Sequence, residues 1–273
     1  VQQEKMSALG NLMAGVAHEI NNPLGCVINN VSYLSESVEE MVKCLQVYRH
    51  TFPNPGTEIE TILGEIDMDF ILEDLPKMLD SMTLSCQRMG NISKSLRLFS
   101  RTDSQSKCLA NLHEGIDSTL MILRYRLQGK KSRPEIQIIR HYGELPAVNC
   151  FPGQLNQVFM NILANGIDMF DEMAETVDYQ ELKANPQQIS IETQQVDPNQ
   201  VAIWIKDNGK GMSHEVCQQI FDRHFTTKPV GKGTGLGLAI VQQIVVENHG
   251  GHLSVHSEMG QGTQFLIQLP LKG

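Results

Sequence analysis

The sequence predicts an all-α helical hairpin suited to a dimeric four-helix bundle, followed by an α+β two-layer sandwich. Three observations carry that expectation. Apolar residues recur at steps of three and four from Met6 to Phe99, the period of helices with one buried stripe. From about residue 105 the pattern changes to short β-branched runs between helical stretches, without regular βαβ alternation. Between the two halves, residues 100–107 are polar and lack any apolar period, as a linker would. The expected domains are 1–103 and 104–273.

The first seam runs through Met6, Leu9, Met13, Val16, Ile20, Leu24, Val27, Val31, Leu34, Val38, Met41 and Leu45. It is heptad-like, with one extra step of four around Pro23. Pro53, Pro55 and Gly56 then break the helix. A second seam follows at Leu72, Leu75, Leu79, Met82, Cys86, Met89, Ile92, Leu96 and Phe99. Ile59, Ile62 and Ile66 prefix it, and Pro76 marks either a kink or a helix start. Two helices with one narrow stripe each cannot close a core alone. Pairing two hairpins can, so a homodimer is expected. The alternative is an amphipathic hairpin lying on the second domain. In that domain, 136–140, 189–193, 201–206, 254–257 and 264–269 read as strands, and 112–127, 154–169 and 238–247 as helices.

Composition excludes several classes. With 41% apolar residues the chain can bury a proper core. A formal charge of -9 disfavours a nucleic-acid groove or an anionic membrane as partner. Six cysteines lie far apart without a C-x-x-C pair, which reads as free thiols in a reducing cytoplasm rather than disulfides or zinc. No apolar run approaches the ~20 residues that cross a bilayer. A chain opening at Val1 is expected to be the cytosolic piece of something longer, whose anchor, if any, lies elsewhere.

Within the first seam, His18 stands two residues from both Val16 and Ile20, so it projects away from the apolar stripe. Glu19 is adjacent, and Asn22 lies one turn on, sharing its face. Neutral imidazole is a good nucleophile near neutral pH, and a carboxylate partner raises its basicity. No H-E-x-x-H is present, which removes the zincin reading.

Three later segments suit one ligand. In 156–168, Asn161 and Asn165 lie one turn apart with Asp168 nearly aligned, while Val158, Ile162 and Leu163 face elsewhere. Amide oxygens are hard donors of the kind Mg²⁺ takes beside phosphate oxygens. In 204–212 a strand leads into Asp207, Asn208 and Gly209, then Gly211. A carboxylate there accepts a hydrogen bond, so it selects an exocyclic amine over a carbonyl. In 221–241, Gly231, Gly233, Gly235 and Gly237 run into an apolar helix. Bare backbone N–H groups at a helix start form an anion site. The spacing fits neither a P-loop nor a dinucleotide-binding turn.

Residues 7–24, centred on His18, Glu19, Asn22 and Pro23, resemble the phospho-acceptor box of two-component sensor histidine kinases. The three later segments resemble the ATP-binding domain of the same family, in the superfamily of gyrase, MutL and a heat-shock chaperone; that resemblance implies the Bergerat-type fold. It further implies that His18 is phosphorylated, that Glu19 assists proton removal, and that Asn22 positions water for dephosphorylation of a partner. Asn161 and Asn165 would belong to the asparagine box, with Asn165 the Mg²⁺ ligand and Asp168 a further nucleotide-binding residue. Asp207, Gly209 and Gly211 would hold adenine. Phe221 and Phe225 would open a lid, in which Thr227, Lys228, Gly233, Thr234, Gly235, Leu236 and Gly237 contact ATP. A response-regulator receiver domain is the implied partner.

The chain departs from the family pattern at Arg223 and His224, at Gln157, and at Gly166 and Met169, the last two expected to matter little. His249, His252 and His256 are close in sequence but read as turn and surface residues rather than a metal site. An ATP-hydrolysing machine sharing the pocket, and a non-catalytic dimeric scaffold, are the rival readings.

Overall fold

The computed structural model describes the backbone of residues 2–100, 106–228 and 235–271, and their side chains except at 2–18, 88, 91, 92 and 94–100. Two compact units make up the chain: a helical one over Ala14–Lys94, and one that holds the mixed α/β elements.

In the helical unit, α1 (Gln2–Thr51) continues through Pro23. It ends where Pro53, Pro55 and Gly56 deny further helix. A short α2 (Thr57–Glu65) carries Ile59 and Ile62, and Ile66 then turns to extended backbone. Pro76 lies inside α3 (Met68–Ser100), so it does not start that helix. The two long helices run antiparallel. Leu24 approaches Gly90 at one end, and Arg49 donates to Asp69 at 2.5 Å near the other.

Burial within this hairpin follows the heptad. Leu24, Val31 and Val38 are buried on α1, and Leu79, Cys86 and Ser93 on α3; each set repeats every seven residues, as one core position of a coiled coil does. The other α1 seam position, Ile20, Val27, Leu34 and Met41, stays 39–56% exposed. Half of each seam is therefore used inside the hairpin, and half faces outward.

In the α/β unit the chain enters through β1 (Cys108–Ala110) and α4 (Leu112–Leu127), whose first turn is capped by Asn111 accepting from the His113 N–H. Next come β2 (Gln137–Tyr142), β3 (Val148–Cys150), α5 (Pro152–Met173), α6 (Tyr179–Ala184), β4 (Gln188–Asp197) and β5 (Gln200–Asp207). The last elements are α7 (His214–Gln219), α8 (Gly237–Gln242), a π-helical turn over Gln243–Asn248, β6 (His252–Glu258) and β7 (Gly262–Pro270). β1 pairs antiparallel with β3, and a five-stranded sheet has the order β2-β4-β5-β7-β6 with only β2 and β4 parallel. Its buried face alternates with period two: Ile189, Ile191 and Thr193 on β4; Val201, Ile203 and Ile205 on β5; Phe265, Ile267 and Leu269 on β7. Onto it pack α4, α5 and α8 through Ile116, Leu120, Val158, Phe159, Ile162 and Val241, giving the two-layer sandwich.

Three differences from the sequence reading have simple causes. β1 and β3 are three residues each, too short to show a period. The helices α6 and α7 have six residues apiece and are announced only by their caps, Asp178 and Ser213. The helix expected over 238–247 becomes π-helical after Gln242, and His249 behind it is buried rather than a surface residue. Its ring bonds the Ile244 carbonyl at 2.7 Å through Nδ1, and Nε2 accepts from the Phe151 N–H at 3.0 Å.

Candidate functional site

A cavity of about 360 Å³ opens between α5, the turn after β5, and the segment leading into α8. Of the residues expected to bind a nucleotide, Asn161, Asn165, Asp168, Asp207, Gly211, Phe225, Thr227, Lys228, Gly235 and Gly237 line it together. One helix face supplies the first three, because residues three and four apart share a face while Val158, Ile162 and Leu163 turn into the core.

At its floor stands Asp207, the last residue of β5. The Gly209 N–H donates to its Oδ1 at 2.9 Å and the Thr263 N–H to the same oxygen at 3.2 Å. Both bonds use Oδ1, which leaves Oδ2 to accept from a ligand. Burial raises the pKa of this carboxyl, against the two backbone N–H donors that favour the anion. The turn that follows is fixed by close approach. Gly211 has φ +67°, and a Cβ there would sit 1.9 Å from the Glu258 carbonyl oxygen. A Cβ on Gly209 would lie 1.9 Å from Cε of Met169. Gly209 is thus absent from the cavity wall and serves by staying small beside Met169. Met169, a departure from the family pattern expected to matter little, itself lines the cavity.

Asn161 donates from Nδ2 to the Gly237 carbonyl at 3.1 Å, tying the asparagine face to the start of α8. Asn165 lines the cavity and has no hydrogen-bond partner among the described residues. Its amide oxygen fits a Mg²⁺ ion that keeps several waters and completes its shell from phosphate. Asp168 is held otherwise than expected. One carboxylate oxygen is taken by the Arg126 guanidinium and the other by Lys228 Nζ at 2.5 Å. Asp171, one turn on, bonds Arg133 at 2.6 Å and Lys130 at 3.0 Å; burial raises its pKa, and these cations outweigh that and lower it.

The His224 N–H donates to the Gly235 carbonyl at 2.8 Å. His224 has φ +70° and Gly235 φ +64°, so this departure from the family pattern occupies a tight crossing of backbone. Phe225 lines the cavity, whereas Phe221 packs against the core and Leu236 precedes α8 without facing the cavity. Gly233 and Thr234, expected to contact phosphate, lie outside the described residues. Gln157 is buried in the core face of α5, away from the cavity wall.

Sequence reading missed Thr263, Lys210, Glu172 and Arg126. Thr263 lines the cavity and its hydroxyl meets Ser257 Oγ at 2.9 Å; the glycines before it were the available signal. Lys210 bonds Glu172 at 2.9 Å across the cavity wall. Arg126 carried no signal, being an ordinary basic residue near a helix end.

On α1, Glu19 and Asn22 are exposed. Pro23 has no N–H to give the Glu19 carbonyl, so the helix ladder is broken one residue from His18. The His18 side chain lies outside the described residues. Among the described residues, no helix is long and apolar enough to cross a membrane, and no cluster of metal-ligating side chains forms, His249, His252 and His256 included.

A sheet backed by an asparagine-bearing helix, with a carboxylate-floored cavity that Gly235 and Gly237 also line, defines a class of nucleotide-binding domain. Residues 152–273 match the family model described as "Histidine kinase-, DNA gyrase B-, and HSP90-like ATPase", and this part of the chain is an ATP-binding domain of that family. Over nearly its whole length the chain is similar to sensor histidine kinases. It is 29% identical over 271 residues to sensor histidine kinase ZraS of Salmonella typhimurium, covering 99% of this chain and 47% of that protein. It is 30% identical over 270 residues to signal transduction histidine-protein kinase AtoS of Escherichia coli, covering 99% of this chain and 36% of that protein. The chain therefore spans less than half the length of either relative. A solved mycobacterial sensor histidine kinase, MprB, aligns with a TM-score of 0.48 at 26% identity, covering 61% of this chain and 98% of that one.

Proposed function

We propose that this chain catalyses ATP-dependent autophosphorylation of His18 and relays the phosphoryl group to an aspartate of a response-regulator receiver domain, with dephosphorylation of that regulator as a companion activity. The observation that carries the proposal is that one cavity gathers Asn161, Asn165, Asp207, Gly211, Lys228, Gly235 and Gly237. An exposed Glu19 and Asn22 stand beside His18 on a helix of the other unit. Domains 1–103 and 104–273 would carry acceptor and donor respectively. The exposed Ile20, Val27, Leu34 and Met41 stripe supports a homodimer in which two hairpins close a four-helix bundle. A cytoplasmic setting accords with use of ATP.

Each residue has a task under this reading. Asp207 Oδ2 accepts from the adenine amine, and the bare turn at Gly211 lets the ring approach. Asn165 would hold Mg²⁺, which would supply neutralisation of phosphate charge. Lys228, poised by Asp168, adds a cation on the same side, and Thr227, Gly235 and Gly237 hold the phosphate arm. Gly233 and Thr234 would contact the same phosphates. Neutral His18 attacks the γ-phosphorus in line while Glu19 orients or accepts its proton, so positioning and electrostatics supply most of the rate. Asn22 positions water when the regulator is dephosphorylated.

The direct test is labelling with γ-labelled ATP. His18→Gln should abolish acid-labile label while ATP binding stays within about twofold of the parent, a difference under ~0.5 kcal/mol. Label retained on that variant, or steady phosphate release with no phospho-protein, would assign the pocket to an ATP-hydrolysing machine instead.

A further inference from the structure

We infer that Cys108 and Cys150 are a redox-active thiol pair that closes to an intramolecular disulfide when the protein meets a small-molecule disulfide such as glutathione disulfide. The inference does not depend on phosphotransfer. The two residues are directly opposite in the antiparallel β1–β3 pair. Opposite residues in such a pair have Cα atoms about 4.5 or 5.5 Å apart, with side chains on the same face. A disulfide asks for about 4.4–6.8 Å, so the backbone already meets its main requirement. Both are free thiols, as are the other four cysteines. Those four lie on helices: Cys26 and Cys44 on α1, Cys86 on α3 and Cys217 on α7.

Accessibility divides the roles within the pair. Cys108 is exposed and Cys150 is fully buried. Burial first, and the neighbouring Cys108 second, push the Cys150 thiol up to about 12. An external reagent therefore meets Cys108 alone. The Cys108 thiolate attacks one sulfur of the small disulfide, forming a mixed disulfide and releasing one thiol. Cys150, as thiolate, then attacks the Cys108 sulfur and expels the second thiol. Two protein thiols lose two protons and two electrons, and one small disulfide becomes two small thiols. The buried thiol needs no route to solvent, because its target is the sulfur opposite it.

The bond would act where the chain enters the α/β unit. β1 is the first strand of that unit, and Cys150 is followed by Phe151, which caps α5, the helix bearing Asn161 and Asn165. Lys107, next to Cys108, already sits 5.8 Å from the Phe151 ring centre. Oxidation would thus fasten the entry strand to the start of the asparagine helix.

The experiment treats the whole chain with glutathione disulfide, blocks remaining thiols, and maps linked peptides by mass without reduction. The expected result is the Cys108–Cys150 peptide as the dominant linked species, removed by dithiothreitol. In Cys150→Ser the label should stop as glutathione on Cys108; in Cys108→Ser, an exposed and benign change, both the linked peptide and any adduct on Cys150 should be lost. Glutathione that persists on Cys108 in the parent with no linked peptide, or Cys150 modified as readily in Cys108→Ser, overturns the inference.

Discussion

At Asp207 one atom decides ligand choice. Its Oδ1 is committed to the Gly209 and Thr263 N–H groups, so Oδ2 is the oxygen left to accept from a ligand. Asp207→Asn keeps the two backbone bonds and places an amide N–H₂ where the acceptor stood, donor against the adenine amine. A hydrogen bond to a charged group is worth about 1.5–3 kcal/mol. ATP affinity measured by calorimetry should therefore fall roughly 10- to 100-fold, while that for GTP, whose carbonyl suits a donor, should not fall. Equal affinity for ATP before and after the change would remove Asp207 from the base site. Asp168 teaches the reverse lesson. The sequence placed it correctly on the asparagine face, but its oxygens are spent on Arg126 and Lys228. Spacing identified the face; only the fold identified the partners.

Among the elements, α1 shows how one heptad serves two contacts. Leu24, Val31 and Val38 are buried against α3 within the hairpin, and Ile20, Val27, Leu34 and Met41 remain outward. If that outward stripe closes a four-helix bundle, a charge in its middle must be desolvated. Leu34→Glu should raise the dimer dissociation constant roughly 100-fold or more, the factor implied by a desolvation cost of about 3 kcal/mol. Light scattering over a concentration series reads it. Tyr33→Glu, one position off the stripe and already 76% exposed, should leave the dimer intact. A monomeric parent, or equal loss in both variants, would count against the bundle.

For the whole molecule, acid sensitivity follows from a histidine that joins distant segments. His249 ties the π turn to the junction of β3 and α5 through Ile244 and Phe151. Burial lowers its pKa, partly offset by the Ile244 carbonyl, with Lys107 adding to the depression. Above about 6.5, its value in an unfolded chain, the ring is neutral in both states. Below that value the unfolded chain takes up a proton that the folded one refuses, so stability falls as pH drops. His113, lowered by burial against Asp117, adds in the same direction. Thermal melts between pH 7.5 and 5.5 should show Tm decreasing on acidification, with a shallower slope in His249→Gln. An unchanged slope would mean that the ring titrates alike in both states.

Periodicity alone determined the two-part division, the long helices, all five strands of the main sheet, and the helix face bearing Asn161 and Asn165. Those features repeat along the chain, and repetition is what a sequence displays. It could not reveal that Met169 leans on Gly209, that Arg126 and Lys228 hold Asp168, that His249 is buried, or that Cys108 lies opposite Cys150. Each of these joins residues distant along the chain or separated by a turn, and has no period. Only the pairing of β1 with β3 set Cys108 opposite Cys150, and only the packing of α5 beside α4 and the residues after α7 brought Asp168 to Arg126 and Lys228.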